Sequence, residues 1–110
     1  MEVLIATAKL NGALSSHRAL QRRWGADGAK KITLRLQQLT AATTLADLRT
    51  LPGRCHELVG DLNGRLAVDI HQPFRLILRP TAEPAPTMAD GGLDWHRVDG
   101  VTVIDIIDYH

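Results

Sequence analysis

The stretch Leu51–Pro80, LPGRCHELVGDLNGRLAVDIHQPFRLILRP, decides the fold. It reads as three short strands joined by two tight turns. Asn63-Gly64 is a strong hairpin signal, because a two-residue type I′ turn needs positive φ at both central positions. Beyond it, Leu66, Val68 and Ile70 alternate with Arg65, Ala67 and Asp69, so one face is apolar and the other mainly polar. Gln72-Pro73 turns the chain again, since proline fixes φ and cannot donate to a ladder. Phe74, Leu76 and Leu78 continue the apolar face, with Arg75 and Arg79 opposite. An antiparallel meander follows, with a buried face and a charged face that carries arginines and His56.

Outside this stretch the chain reads as helical before it and extended after it. Glu2 to Thr7 is expected to be a strand. Ser15 or Ser16 can cap a helix reaching Trp24, a serine oxygen satisfying a free N–H of the first turn. Gly25 and Gly28 are expected to break it. A second helix is expected from about Ala29 to Thr40, with Ile32, Leu36 and Leu39 at helical spacing and Lys31 and Arg35 off that stripe. Thr44 to Leu51 suits a short helical turn stopped by Pro52-Gly53. The segment 81–100 has no clear period and reads as a long loop that Trp95 pins to the body. Val101 to Ile107 is a β-branched run, expected as a buried last strand. Strand, two helices, then strands make an α+β sandwich with helices on one face of an antiparallel sheet.

The totals suit one globular domain over residues 1–110. Aromatics are only 4% of the residues, so the core must be built from Leu, Ile, Val and Ala. The single cysteine, Cys55, allows no internal disulfide and reads as a small buried apolar residue. There is neither a signal-peptide pattern nor an apolar run of membrane length, so a soluble cytoplasmic protein that does not engage membranes is expected. Net charge is near zero, but residues 1–54 hold nine Lys/Arg against three Asp/Glu, and residues 55–110 hold four against nine. The basic half, with Arg18, Arg22, Lys30, Lys31 and Arg35, suits either RNA or an acidic partner, or is a solvated helical face.

Several familiar chemistries lack their residues. The chain has no CxxC, HExxH or HxH spacing for a metal, and no GxSxG elbow. Gly91-Gly92 lacks the surroundings of a phosphate loop. Two clusters remain. Arg54, His56, Arg65 and Arg75 on the meander could hold phosphate oxygens and pass a proton, or could be ordinary surface groups. Asp108-Tyr109-His110 directly follows an apolar strand, as a wet terminus or as an acid–base group on a rigid strand end.

Taken together, the core run, the Gly60-Asp61 turn, the Pro73-Phe74-Arg75-Leu76 step and the closing Asp-Tyr-His resemble the HigB-type toxins of the RelE/ParE superfamily, also called plasmid maintenance or killer proteins. The resemblance implies a twisted antiparallel sheet on two N-terminal helices. It implies a toxin of a type II toxin–antitoxin pair that cleaves mRNA in the ribosomal A site, with the ribose 2′-OH as nucleophile and no metal or other cofactor. The catalytic group it implies is His56, Arg75, Asp108, Tyr109 and His110. His56 and His110 would exchange protons with the 2′-OH and the leaving 5′-oxygen, and Arg75 would stabilise phosphorane charge. Asp108 would orient an imidazole, and Tyr109 would stack on a base or donate its hydroxyl. Arg54, Arg65 and the basic helical residues would bind RNA. The implied partners are a helix-turn-helix antitoxin of HigA type, the ribosome with its mRNA, and operator DNA only through the antitoxin. The family often has a lysine before its Gly-Asp turn, where this chain has Val59. A gyrase-binding toxin of ParE type and an inactive co-repressor are the competing functions. A binding poison has no need of proton-transfer groups, which favours the nuclease.

Overall fold

The computed structural model of the protein describes residues 1–108. Within them the order is β1 (Glu2–Ile5), α1 (Ala8–Leu14), α2 (His17–Ala41), a 3-10 turn (Leu45–Thr50), β2 (His56–Glu57), β3 (Leu66–Asp69), β4 (Phe74–Pro80) and β5 (Gly100–Asp108). The strands form one sheet in the order β1-β5-β4-β3-β2. β2, β3, β4 and β5 pair antiparallel as expected. β1 pairs parallel to β5, so one edge of the sheet departs from the all-antiparallel expectation. The apolar run Val101–Ile107 lies inside the sheet, between β1 and β4, which explains why it needs no polar alternation.

Helix boundaries follow side-chain caps. Leu10 N–H donates to the Thr7 hydroxyl and Ala19 N–H to the Ser16 hydroxyl, both at 3.1 Å. The Ser16 cap was legible in the sequence, but α1 was not expected. The break between helices is confined to Gly25, at φ 76°, ψ 175°. Gly28, expected to end the helix, lies inside it and is buried. A Cβ there would sit 2.8 Å from Trp24 Cβ and 3.4 Å from His71 Cε1, so that glycine serves close packing.

Leu20, Trp24, Ile32 and Leu39 of α2 bury against Leu66, Val68, Leu76, Leu78, Val101 and Val103 of the sheet. Alternation along β3 and β4 places Asp69 and Arg75 on the other face. That face is not wholly charged, as Leu58, Ala67 and Ile77 form a small second cluster there with Leu62, Ile104 and Ile107 packed around it. The Asn63-Gly64 turn also differs from expectation. Asn63 has φ −56°, ψ 137° and Gly64 has φ 89°, while Arg65 N–H donates to Leu62 O, giving a type II turn. A 3-10 turn at Gly60–Leu62 intervenes, so β2 keeps only two paired residues. Trp95 pins the 81–100 segment as expected: it is buried, its indole N–H donates to Glu57 Oε2 at 3.0 Å, and the Arg49 guanidinium stacks on its ring.

Candidate active site

Asp69, at the end of β3, is the hub of the open face. Its backbone N–H donates to Gly53 O at 2.7 Å, which ties the strand to the loop before β2. One carboxylate oxygen, Oδ2, accepts from Arg54 Nε at 2.7 Å, and the other, Oδ1, lies 3.1 Å from Arg75 Nε. Its backbone oxygen accepts from Arg35 Nε at 2.8 Å, from the helical side. Three arginines therefore converge on one residue. Two of them, Arg54 and Arg75, come together on the open face although they are far apart in sequence.

The loop that carries Arg54 has an unusual backbone. Gly53 has φ +110°, and Arg54 itself lies at φ 46°, in the left-handed region where few non-glycine residues sit. A Cβ on Gly53 would stand 2.9 Å from Arg35 Nε and 3.0 Å from Val68 Cγ1. Glycine is needed there because the buried guanidinium passes directly beneath. The Pro52-Gly53 pair thus does more than stop a helix.

His56 follows in β2, opposite Ala67. Asp69 is two residues further along β3 and opposite Arg75, so His56 lies on the same face about 7 Å along the strand from the arginine pair. His56 Nδ1 is 2.7 Å from Arg54 O. A carbonyl oxygen only accepts, so Nδ1 carries the hydrogen, and Nε2 is the nitrogen left to exchange a proton. The face thus combines a proton acceptor and two cations held on one carboxylate. Such a set can bind a phosphodiester, accept a proton from a hydroxyl and stabilise charge developing on phosphorus.

The other expected residues are spread more widely. Arg65 comes just before β3, four positions ahead of Asp69 and roughly 13 Å away. It instead lines a cavity with Glu57, Pro80 and the 81–100 segment. Arg35, expected on the basic surface, is buried at 5% exposure and donates to Asp69 O and Gln38 Oε1. It is a structural cation and cannot meet RNA. Arg18, Arg22, Lys30 and Lys31 are exposed on the helical layer, across the sheet from Arg54 and Arg75. Val59 is 84% exposed on the loop after β2. In β5 the register sets Ile107 opposite Arg75 and Asp108 opposite Phe74. Tyr109 and His110 lie outside the described residues.

Burial pushes the Cys55 thiol up to about 12, against a smaller lowering by Arg49, so the thiol stays protonated at neutral pH. It lies just before β2, half-buried, and packs against the main core, in keeping with the expected apolar role. Among the described residues no group of His, Cys, Asp or Glu is arranged to hold a metal ion, and no helix is long and apolar enough to cross a membrane. Sequence reasoning missed Asp69 and the role of Gly53. Asp69 alternates with Val68 and Ile70 on the polar face, so its position was available. Its partners were not, because they arrive through long-range register.

This α+β arrangement, a sheet with two helical segments on one face, is the fold of the RelE/ParE-like toxins. A structure described as a YoeB/ParE toxin from Agrobacterium tumefaciens superposes with a TM-score of 0.61 at 14% identity, covering 100% of both chains. The YoeB-YefM complex and the YoeB dimer, both from Staphylococcus aureus, superpose at 0.55 and 0.54 with 13% and 14% identity. Each comparison covers 100% of this chain and 97% of the other. At such identities the likeness is one of fold. No protein-family model and no curated protein matches the sequence.

Proposed function

We propose that the protein is the toxin of a type II toxin–antitoxin pair and that it cleaves mRNA on the ribosome. The observation that carries this is the meeting of Arg54 and Arg75 on Asp69, with His56 on the same open face, in a fold shared with YoeB toxins. In the proposed reaction His56 Nε2 takes the proton of a ribose 2′-OH. The 2′-oxygen attacks phosphorus while Arg54 and Arg75 stabilise the pentavalent charge. The bond from phosphorus to the 5′-oxygen breaks, leaving a 2′,3′-cyclic phosphate and a 5′-hydroxyl. His110 protonates the leaving oxygen, Asp108 orients an imidazole and Tyr109 stacks on a base. Every step uses a side chain of this protein, so the reaction as written calls for no cofactor.

The outward basic surface of Arg18, Arg22, Lys30 and Lys31 is assigned to ribosomal RNA or to the antitoxin, and Arg65 to flanking RNA. An antitoxin partner is supported by the YoeB-YefM complex among the structural neighbours. The motif resemblance favours a helix-turn-helix partner of HigA type that carries the toxin to operator DNA. The protein would act in the cytoplasm, where ribosomes are. Exposed Val59 in place of a lysine leaves Arg54 as the second cation beside the scissile phosphate.

Cleavage on ribosomes programmed with a defined A-site codon tests the reading. Wild-type protein should cut within that codon and yield a cyclic phosphate end. Arg75→Ala should cut about two to three decades more slowly, the range expected for losing one charged contact to the transition state. Intact mRNA at saturating wild-type protein would refute the assignment.

A further inference from the structure

We propose that Asp69 is a positioning residue of this site, a carboxylate that holds the Arg54 and Arg75 guanidinium groups side by side so that both meet one phosphate. The inference rests on the nuclease reading and deepens it.

The geometry is asymmetric in a useful way. A guanidinium carries five N–H groups, one on Nε and four on the terminal nitrogens. Arg54 Nε donates to Asp69 Oδ2 at 2.7 Å, and Arg75 Nε pairs by charge with the other oxygen, Oδ1, at 3.1 Å without hydrogen-bond alignment. Binding through Nε leaves the terminal nitrogens of Arg54, which form the fork suited to phosphate oxygens, outside that hydrogen bond. Arg54 is 69% exposed at its side chain and would sample many rotamers if untethered. Ordering it at the moment of reaction would cost entropy that Asp69 removes in advance.

Asp69 is itself held from three directions. Its N–H is bonded to Gly53 O, its carbonyl oxygen to Arg35 Nε, and its strand to β4 through the pairing with Arg75. The carboxylate is only 30% exposed, so it is a fixed post for the far more exposed Arg54. Nothing in its chemistry suits it to touch the substrate, since a carboxylate facing a phosphodiester repels it. That repulsion makes the proposal distinctive. Asp69 must weaken RNA binding by charge and strengthen cleavage by alignment.

The two effects separate in Asp69→Asn. The test measures binding to ribosomes programmed with an A-site codon carrying 2′-O-methyl riboses, which cannot be cut. It also measures the single-turnover cleavage rate at saturation on the unmodified codon. Asp69→Asn should bind as tightly as wild type or more tightly, and cleave at least tenfold more slowly at saturation. Asp69→Glu should recover part of the rate. The ¹⁵N–¹H signal of Arg54 Nε, hydrogen-bonded to Asp69 in the wild type, should move toward the solvent-exposed position in Asp69→Asn. Full-rate cleavage by Asp69→Asn, or equal losses in binding and rate, would overturn the inference while the nuclease reading stands. Failure of the wild type to cleave would overturn both.

Discussion

Replacing Arg35 by leucine tests the link between the helical layer and the site. The side chain is buried, and it donates to Asp69 O at 2.8 Å and to Gln38 Oε1 at 3.1 Å. Hydrogen bonds from a charged donor contribute about 1.5–3 kcal/mol each, so roughly 3–6 kcal/mol is at stake. Leucine removes the desolvation cost of a buried cation and recovers apolar burial, which together offset part of the loss. A net destabilisation of about 2–3 kcal/mol remains, chiefly because Asp69 O loses its donor from the helix. For a chain of this size each kcal/mol lowers the melting temperature by about 4 °C, so Arg35→Leu should melt roughly 10 °C lower. Lys31→Leu, one turn away and exposed, should stay within about 0.5 kcal/mol of wild type. Thermal denaturation followed by circular dichroism measures both. A melting temperature for Arg35→Leu within about 2 °C of wild type would refute the account of Arg35 as a structural cation.

Two further outcomes follow from neighbouring residues. Gly53→Ala should be destabilised by at least about 2 kcal/mol, since its φ of +110° disfavours a side chain and its Cβ would strike Arg35 Nε and Val68 Cγ1. Urea denaturation measures it, and a near-neutral substitution would mean that Arg35 does not pass beneath the loop. Cys55 gives a pH dependence. Burial raises its thiol from 9.0 to about 12 in the folded protein, so the folded state keeps a proton that the unfolded chain loses. That contribution is fully present below about pH 9 and falls away as pH rises toward 12. Cys55→Ala should flatten this part of the stability curve. An unchanged decline between about pH 9 and pH 11 would show that other groups cause it.

Local patterns made much of this fold legible. The Ser16 cap, the alternation of Leu66, Val68 and Ile70, the turn at Gln72-Pro73 and the β-branched run of the last strand each state a conformation within a few residues. What failed was long-range. Arg35 looked outward-facing because it has helical spacing with Lys31, and only the sheet packed beneath shows that it points inward. Gly28 read as a helix stop because the sequence does not display the ring of His71 pressing on it. The parallel pairing of β1 with β5 has no local signature at all. The arginine pair was half visible. Both residues were candidates from the polar face of the meander, but the carboxylate that joins them lies fifteen residues from one and six from the other. Arg65 had the same local credentials and falls elsewhere, because four residues of extended strand separate it from that carboxylate.

The central claim, that the open face of the sheet cuts mRNA during translation, is tested most directly by mapping transcript ends after induction of this gene alone. Primer extension should reveal new 5′ ends inside translated codons. These ends should vanish with Arg75→Ala and with His56→Gln, at equal levels of folded protein. Growth arrest with intact transcripts, or arrest accompanied by gyrase-linked DNA breaks, would contradict the claim and place this protein among toxins that act by binding.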